Sequence, residues 1–121
     1  GSWEEVTEVD GGAIYHRWID DRPVGGSRPR VNACRRPGEW QSYYILFRAP
    51  RFGANGTKLE NAKFLRVVYN GVTVQRNVEV EGGTRAHMKV KEDEKNPLMI
   101  QGDHGPAAFR NIYWRPLRDV L

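Results

Sequence analysis

Cysteine is nearly missing from this chain. Cys34 stands alone among 121 residues, which rules out an internal disulfide framework and any zinc site built on cysteines. Long apolar runs are missing too. Nothing approaches the roughly 18 consecutive apolar residues of a membrane-spanning helix, and the first residues lack the basic-then-apolar order of an export signal, so neither a span nor a leader is expected and the compartment stays open. Sustained helical periodicity is also lacking, which leaves no helix longer than a turn or two. The net charge of +4 and pI near 9.5 raise nucleic acid as a ligand. No helix-turn-helix, zinc finger or RNA-binding sheet signature accompanies the charge, so nucleic acid is not the expected partner.

What the chain does have is aromatic and turn-forming. Four Trp, five Tyr and four Phe bring large areas to bury, while 13 Gly and 7 Pro cut the chain into short segments. Residues 1–121 are expected to form a single β domain with a small core, burying roughly two thirds of the unfolded surface.

Alternation of apolar and polar residues marks the segments. Trp3 to Val9 and Ala13 to Ile19 read as two short strands separated by Gly11-Gly12. Asp20 to Gly38 has no periodicity and reads as a long loop, a candidate pocket wall, with Arg22, Arg28, Arg30, Arg35 and Arg36 solvated and paired to Asp20, Asp21 and Glu39. Trp40 to Ala49 is the strongest strand, apolar on both faces. Arg51 to Asn61 is a turn-rich excursion. Ala62 to Tyr69 and Val72 to Val80 bracket Asn70-Gly71, the signature of a type I′ hairpin. In the second of these strands Val72, Val74, Val78 and Val80 should share a dry face, with Thr73, Gln75, Asn77 and Glu79 on the wet one. Gly82 to Asn96 is polar and expected to be mobile. The pattern suits an antiparallel β-sandwich or jelly roll.

The stretch from Pro97 to Leu117 carries the residues most in need of explanation. Apolar segments at Leu98 to Ile100 and Ala107 to Trp114 flank Gln101-Gly102-Asp103-His104-Gly105-Pro106, and such a turn needs neither an acid nor an imidazole to form. Asp103 and His104 either serve the turn and the surface, or stand as polar groups of a ligand pocket. Cys34, with no base beside it, reads as a small packed residue and not as a nucleophile.

Taken with Gly12-Ala13-Ile14-Tyr15 and VNACRRPGEWQSYYILFRAPRF from Val31 to Phe52, the segment IQGDHGPAAFRNIYWRPL resembles the 3-keto-disaccharide hydrolase family of bacterial glycoside-processing proteins. The resemblance runs in order from about Gly12 to Leu117. It implies a concanavalin-like β-sandwich of which this chain holds the C-terminal part, the preceding half being absent. It also implies carbohydrate chemistry in which a ketone at sugar C3 acidifies the C2 proton, so that a base can remove it and the C1 substituent leaves, followed by hydration.

Within that frame His104 would be the base, held by Asp103, with Arg110 or a bound divalent metal stabilising the enolate; no metal ligands are otherwise identified and no cofactor is required. Glu39 joins Asp103 as the carboxylate pair of an ordinary glycosidase arrangement. Gln41, Gln101 and Asn32 would hold hydroxyls, and Tyr15 and Trp40 are the aromatics for a sugar face, against the competing reading that Trp40 and Trp114 lie in strands as packing residues. Tyr44 stands where an acidic residue is common in relatives, which keeps a non-catalytic carbohydrate-binding or assembly module as the alternative, and a basic nucleic-acid-binding module as the third. An incomplete sandwich would leave apolar sheet surface and strand edges, so a homodimer or another partner is expected to cover them.

Overall fold

The computed structural model describes residues 6, 7 and 10–117. Among them the chain is all-β, antiparallel throughout and free of helix, consistent with a β-sandwich. Among the described residues no helix is long and apolar enough to cross a membrane. Most of the strand expected from Trp3 to Val9 lies outside the described residues, and Val6 and Thr7 are in no strand.

Among the described residues seven strands follow in order: β1 Arg17–Ile19, β2 Arg22–Val24, β3 Tyr43–Arg48, β4 Arg51–Phe52, β5 Lys58–Glu60, β6 Ala62–Tyr69 and β7 Val72–Val80. The central sheet has the order β3-β6-β7, and β1-β2 and β4-β5 are separate hairpins. The β6-β7 turn is as the Asn-Gly pair requires: Asn70 and Gly71 take φ of 50° and 82°, the double left-handed conformation of a type I′ turn.

Several expectations need correcting. The segment from Ala13 to Ile19 is strand only from Arg17, with Ile14 forming an isolated bridge to Ser27. The expected loop from Asp20 to Gly38 begins as a hairpin, because Asp20 and Asp21 tolerate φ of 51° and 57° and so bring Arg22 opposite Ile19. The excursion from Arg51 to Asn61 folds into β4 and β5, closed by Gly53 N donating to Thr57 O at 2.7 Å. Trp40 and Trp114 lie in no strand: β3 starts at Tyr43, and residues 97–117 contain none. Among the described residues no ion pair joins the loop arginines to Asp20, Asp21 or Glu39. The two aspartates occupy a turn, and the Glu39 carboxylate is taken by the Arg36 backbone amide at 2.9 Å.

Two bulges decide which side chains are buried. In β6 the register against β3 slips between Leu46 and Phe47, leaving Leu65 as the extra residue, so Ala62 and Phe64 share a face with Val67 and Tyr69 despite the change of parity. In β7 the slip leaves Val74 unpaired between Thr73 and Gln75. Gln75 therefore turns inward, against expectation, and is 2% exposed beside Val74 at 0%. Its amide nitrogen donates to Gly12 O at 3.1 Å and Ser27 O at 2.9 Å, and its oxygen accepts from Ser27 Oγ at 2.8 Å. A buried amide is tolerable only when satisfied in this way. These bonds fasten the Gly12 to Ser27 segment onto the sheet, over a core of Val67, Tyr69 and Val74 with Ala33, Cys34 and Phe64 against it.

The segment from Gly82 to Asn96 forms no strand but is tied down. Arg85 N donates to His16 O at 2.9 Å, Phe52 N donates to Glu94 Oε1 at 3.0 Å, and Lys58 pairs with Glu92 at 2.8 Å.

Candidate functional site

The Gln101 to Pro106 turn builds a small polar cluster. His104 Nδ1 lies 2.8 Å from Asp103 Oδ1, and Gln101 Nε2 donates to the same oxygen at 2.8 Å while standing 3.0 Å from His104 Nδ1. Bonds from His104 and then Gln101 hold the Asp103 carboxyl below its ordinary pKa, so it is ionised at neutral pH. A carboxylate accepting the Nδ1–H leaves Nε2 with a free lone pair, the arrangement of a base oriented by an acid. The pair is open to water: the His104 and Asp103 side chains are 80% and 75% exposed.

Other predicted residues fall into separate groups. Arg110 stacks its guanidinium 3.8 Å above the Trp40 ring. Gln41 is a hub: its Oε1 accepts from Arg35 N at 3.0 Å, Asn70 Nδ2 at 3.1 Å and the Tyr69 hydroxyl. Asn32 Oδ1 accepts from Cys34 N at 3.0 Å in an Asx turn. Glu39 closes the Arg36 turn, and Tyr15 lies against His16 with ring centroids 4.1 Å apart. Trp40 and Arg110 are thus brought together, and so are Gln101, Asp103 and His104. No hydrogen bond, ion pair or ring contact among the described residues links Glu39, Asn32, Gln41 or Tyr15 to the Asp103–His104 pair.

Three features were not anticipated. Asn70, read only as a turn residue, donates from Nδ2 to Ala33 O at 2.8 Å and accepts from Ser42 N at 2.9 Å, so it clamps the Val31 to Ser42 loop to the hairpin. Tyr43 and Tyr69 stack at 4.4 Å, with Gly12 N donating to Tyr43 Oη at 3.1 Å; burial pushes both phenols above their ordinary pKa. Cys34 sits at this cluster, 3.5 Å from the Tyr69 hydroxyl. A cleft of about 380 Å³ lies at the end of β3, lined by Phe47 to Arg51 with Glu94 and Leu117, and includes none of the expected site residues. Among the described residues no group of three or more His, Cys, Asp or Glu is placed to hold a metal ion.

Residues 3–115 match the model of the family described as the 3-keto-alpha-glucoside-1,2-lyase-like domain. The chain belongs to this family. Neither a curated protein nor a solved structure matched it. Membership makes this a carbohydrate-processing domain.

Proposed function

We propose that this domain, read as one unit over residues 1–121, cleaves the glycosidic bond of a 3-keto glycoside with His104 as the base. The observation that carries the reading is the Nδ1 contact of His104 with Asp103, which would leave Nε2 to take the C2 proton. The electron pair of the C2–H bond moves into an enolate toward the C3 oxygen, then returns to form the C1–C2 double bond as the C1 substituent departs, protonated by the His104 imidazolium that holds the C2 proton. Water adds at C1 in the hydration step. Arg110 is the cation for the enolate oxygen, its position set by the Trp40 ring, on which a sugar face would otherwise rest. Gln101 fixes Asp103 and, with Asn32 and Gln41 in the neighbouring loop, contacts hydroxyls. Glu39, bound to the Arg36 amide, holds that loop in shape.

A base this exposed needs a wall to exclude water. The second part of the proposal is a homodimer. Tyr43, Ile45 and Phe47 on one face of β3 are 53%, 51% and 43% exposed, and Leu98, Tyr113 and Trp114 of the last segment are 75%, 87% and 81% exposed. A second copy packed on these would cover the apolar surface with an interface of roughly 1,600 Å² and shelter the pair.

The test is turnover of a 3-keto glucoside by the wild type and by His104→Ala, alongside sedimentation velocity. Loss of turnover with an unchanged far-ultraviolet spectrum supports the base; wild-type rates in the variant remove it. The second reading, a non-catalytic carbohydrate-binding module of the same fold, is favoured by the same exposure. It takes over if the wild type binds glycans and turns over no keto sugar.

A further inference from the structure

The face of the central sheet opposite Tyr43, Ile45 and Phe47 has a different character. β3 runs without a bulge, so Tyr44, Leu46 and Arg48 share that face, and the register sets Val68, Arg66 and Lys63 of β6 beside them. β7 continues the rows with Thr73, Arg76 and Glu79. Arg66 and Arg76 stand directly opposite one another on adjacent strands, both exposed. Like charges in that position repel and destabilise the sheet unless something negative lies between them. Among the described residues nothing does: no carboxylate pairs with Arg48, Lys63, Arg66 or Arg76, and Glu79 at the corner opposite Lys63 forms no ion pair. Arg66 is aimed by its Nε bond to Thr73 Oγ1 at 2.9 Å, and the buried Nε of Arg48 has no acceptor. Beside the arginines Tyr44 is 52% exposed, an aromatic plate next to a guanidinium row.

We infer that this face binds an acidic glycan, with uronate carboxylates bridging Arg66 and Arg76 and a sugar ring resting on Tyr44. The inference rests on the carbohydrate-processing reading, which selects a glycan among polyanions. Guanidinium forks fit carboxylates in bidentate fashion, and two forks side by side fit an anion that neither could hold as well alone. Single-stranded nucleic acid has the same charge and also stacks on aromatics, so it is the arm that overturns the assignment.

The experiment is calorimetric titration of the full chain at about 0.15 M salt with oligogalacturonate, with neutral maltohexaose and with oligo-dT. The wild type should bind oligogalacturonate, with affinity falling as salt rises. The double variant Arg66→Gln/Arg76→Gln should bind it about tenfold more weakly or worse. Arg66→Lys/Arg76→Lys, which keeps charge but not the fork, should fall between the two. A urea midpoint for each variant guards against loss of fold. Unchanged oligogalacturonate affinity in the folded double glutamine variant overturns the proposal, as does tighter binding of oligo-dT than of the glycan. Binding of maltohexaose, or turnover of a keto sugar, without oligogalacturonate binding sinks this inference and leaves the carbohydrate reading standing. No glycan of any kind bound or turned over sinks both.

Discussion

The central sheet and the segment from residue 97 to 117 are both rich in large apolar side chains, yet they end in opposite environments. In the sheet Val74 is 0%, Val67 4% and Tyr69 4% exposed; in the last segment Tyr113 is 87% and Trp114 81% exposed. Composition does not account for the difference. β6 has a hydrogen-bonded neighbour on each side, whereas among the described residues no backbone–backbone bond involves residues 97–117. Apolar residues become core only where the backbone that carries them is itself satisfied, because burying unpaired amides costs more than the side chains return. The residues proposed for chemistry stand on the second kind of segment, and the network that holds the fold stands on the first.

The largest way to break this contrast is at Gln75. Gln75→Ala leaves Gly12 O and Ser27 Oγ without their buried partner and opens a gap beside Val74, so it should cost about 3 kcal/mol. Trp114→Ala, a larger truncation at an exposed position, should cost less than about 0.5 kcal/mol in the monomer. Urea midpoints of the two variants check both, and a Trp114 variant that lost as much stability as the Gln75 variant would mean the last segment is part of the core.

Asn70 comes next, since it links the sheet to the Val31 to Ser42 loop. Asn70→Ala loses the bonds to Ala33, Gln41 and Ser42 and puts alanine at φ of 50°, which together should cost about 1–2 kcal/mol. Amide exchange should quicken through residues 31–42 while the middle of β6 stays protected. Uniform quickening would show that the loop and sheet open as one unit.

How much of this was legible depended on whether local rules had competition. Asn70-Gly71 has a narrow set of backbone conformations, so its hairpin could be read directly. Gln75 could not, because the bulge at Val74 shifts the parity of β7 and no pattern of alternation carries that information. Trp40 to Ser42 looked like the start of β3, but Gln41 accepting from Arg35 N and Asn70, and Ser42 N donating to Asn70, hold it in the loop. The Asp20-Asp21 turn lacks glycine and so gave no hairpin signal. At the site, Asp103 and His104 were legible as neighbours in one turn. The Arg110–Trp40 stack joins residues 70 positions apart and was not, since a contact of that range follows from the fold.

Titration separates the two regions further. Burial raises the Tyr69 phenol above its ordinary value of 10.0, so the folded state keeps its proton where the unfolded chain would ionise. Stability from this group is intact below pH 10 and declines as pH climbs past it. Tyr69→Phe should be less stable at neutral pH, through loss of the Gln41 and Cys34 contacts, but should lose less on going from pH 9 to pH 11 than the wild type. Equal alkaline losses would place the sensitive group elsewhere.

The smallest effect is expected at Asp103, and its sign is opposite. The carboxyl is lowered below 3.8 chiefly by the hydrogen bond from His104, so folding favours its ionised form. The stabilisation is present above 3.8 and is lost as pH falls through the lower folded value, where the proton returns and the bond to the imidazole no longer opposes a full charge. Because both side chains are open to water, the overall stability of the protein should hardly respond. The local titration should. Carbon-detected NMR of the Asp103 carboxyl should give a midpoint below 3.8 in the wild type, higher in His104→Ala and intermediate in Gln101→Ala, following the order of the two bonds. An unchanged midpoint in His104→Ala would mean that the two side chains do not meet in solution, and with that contact would go the reason for assigning the base to His104.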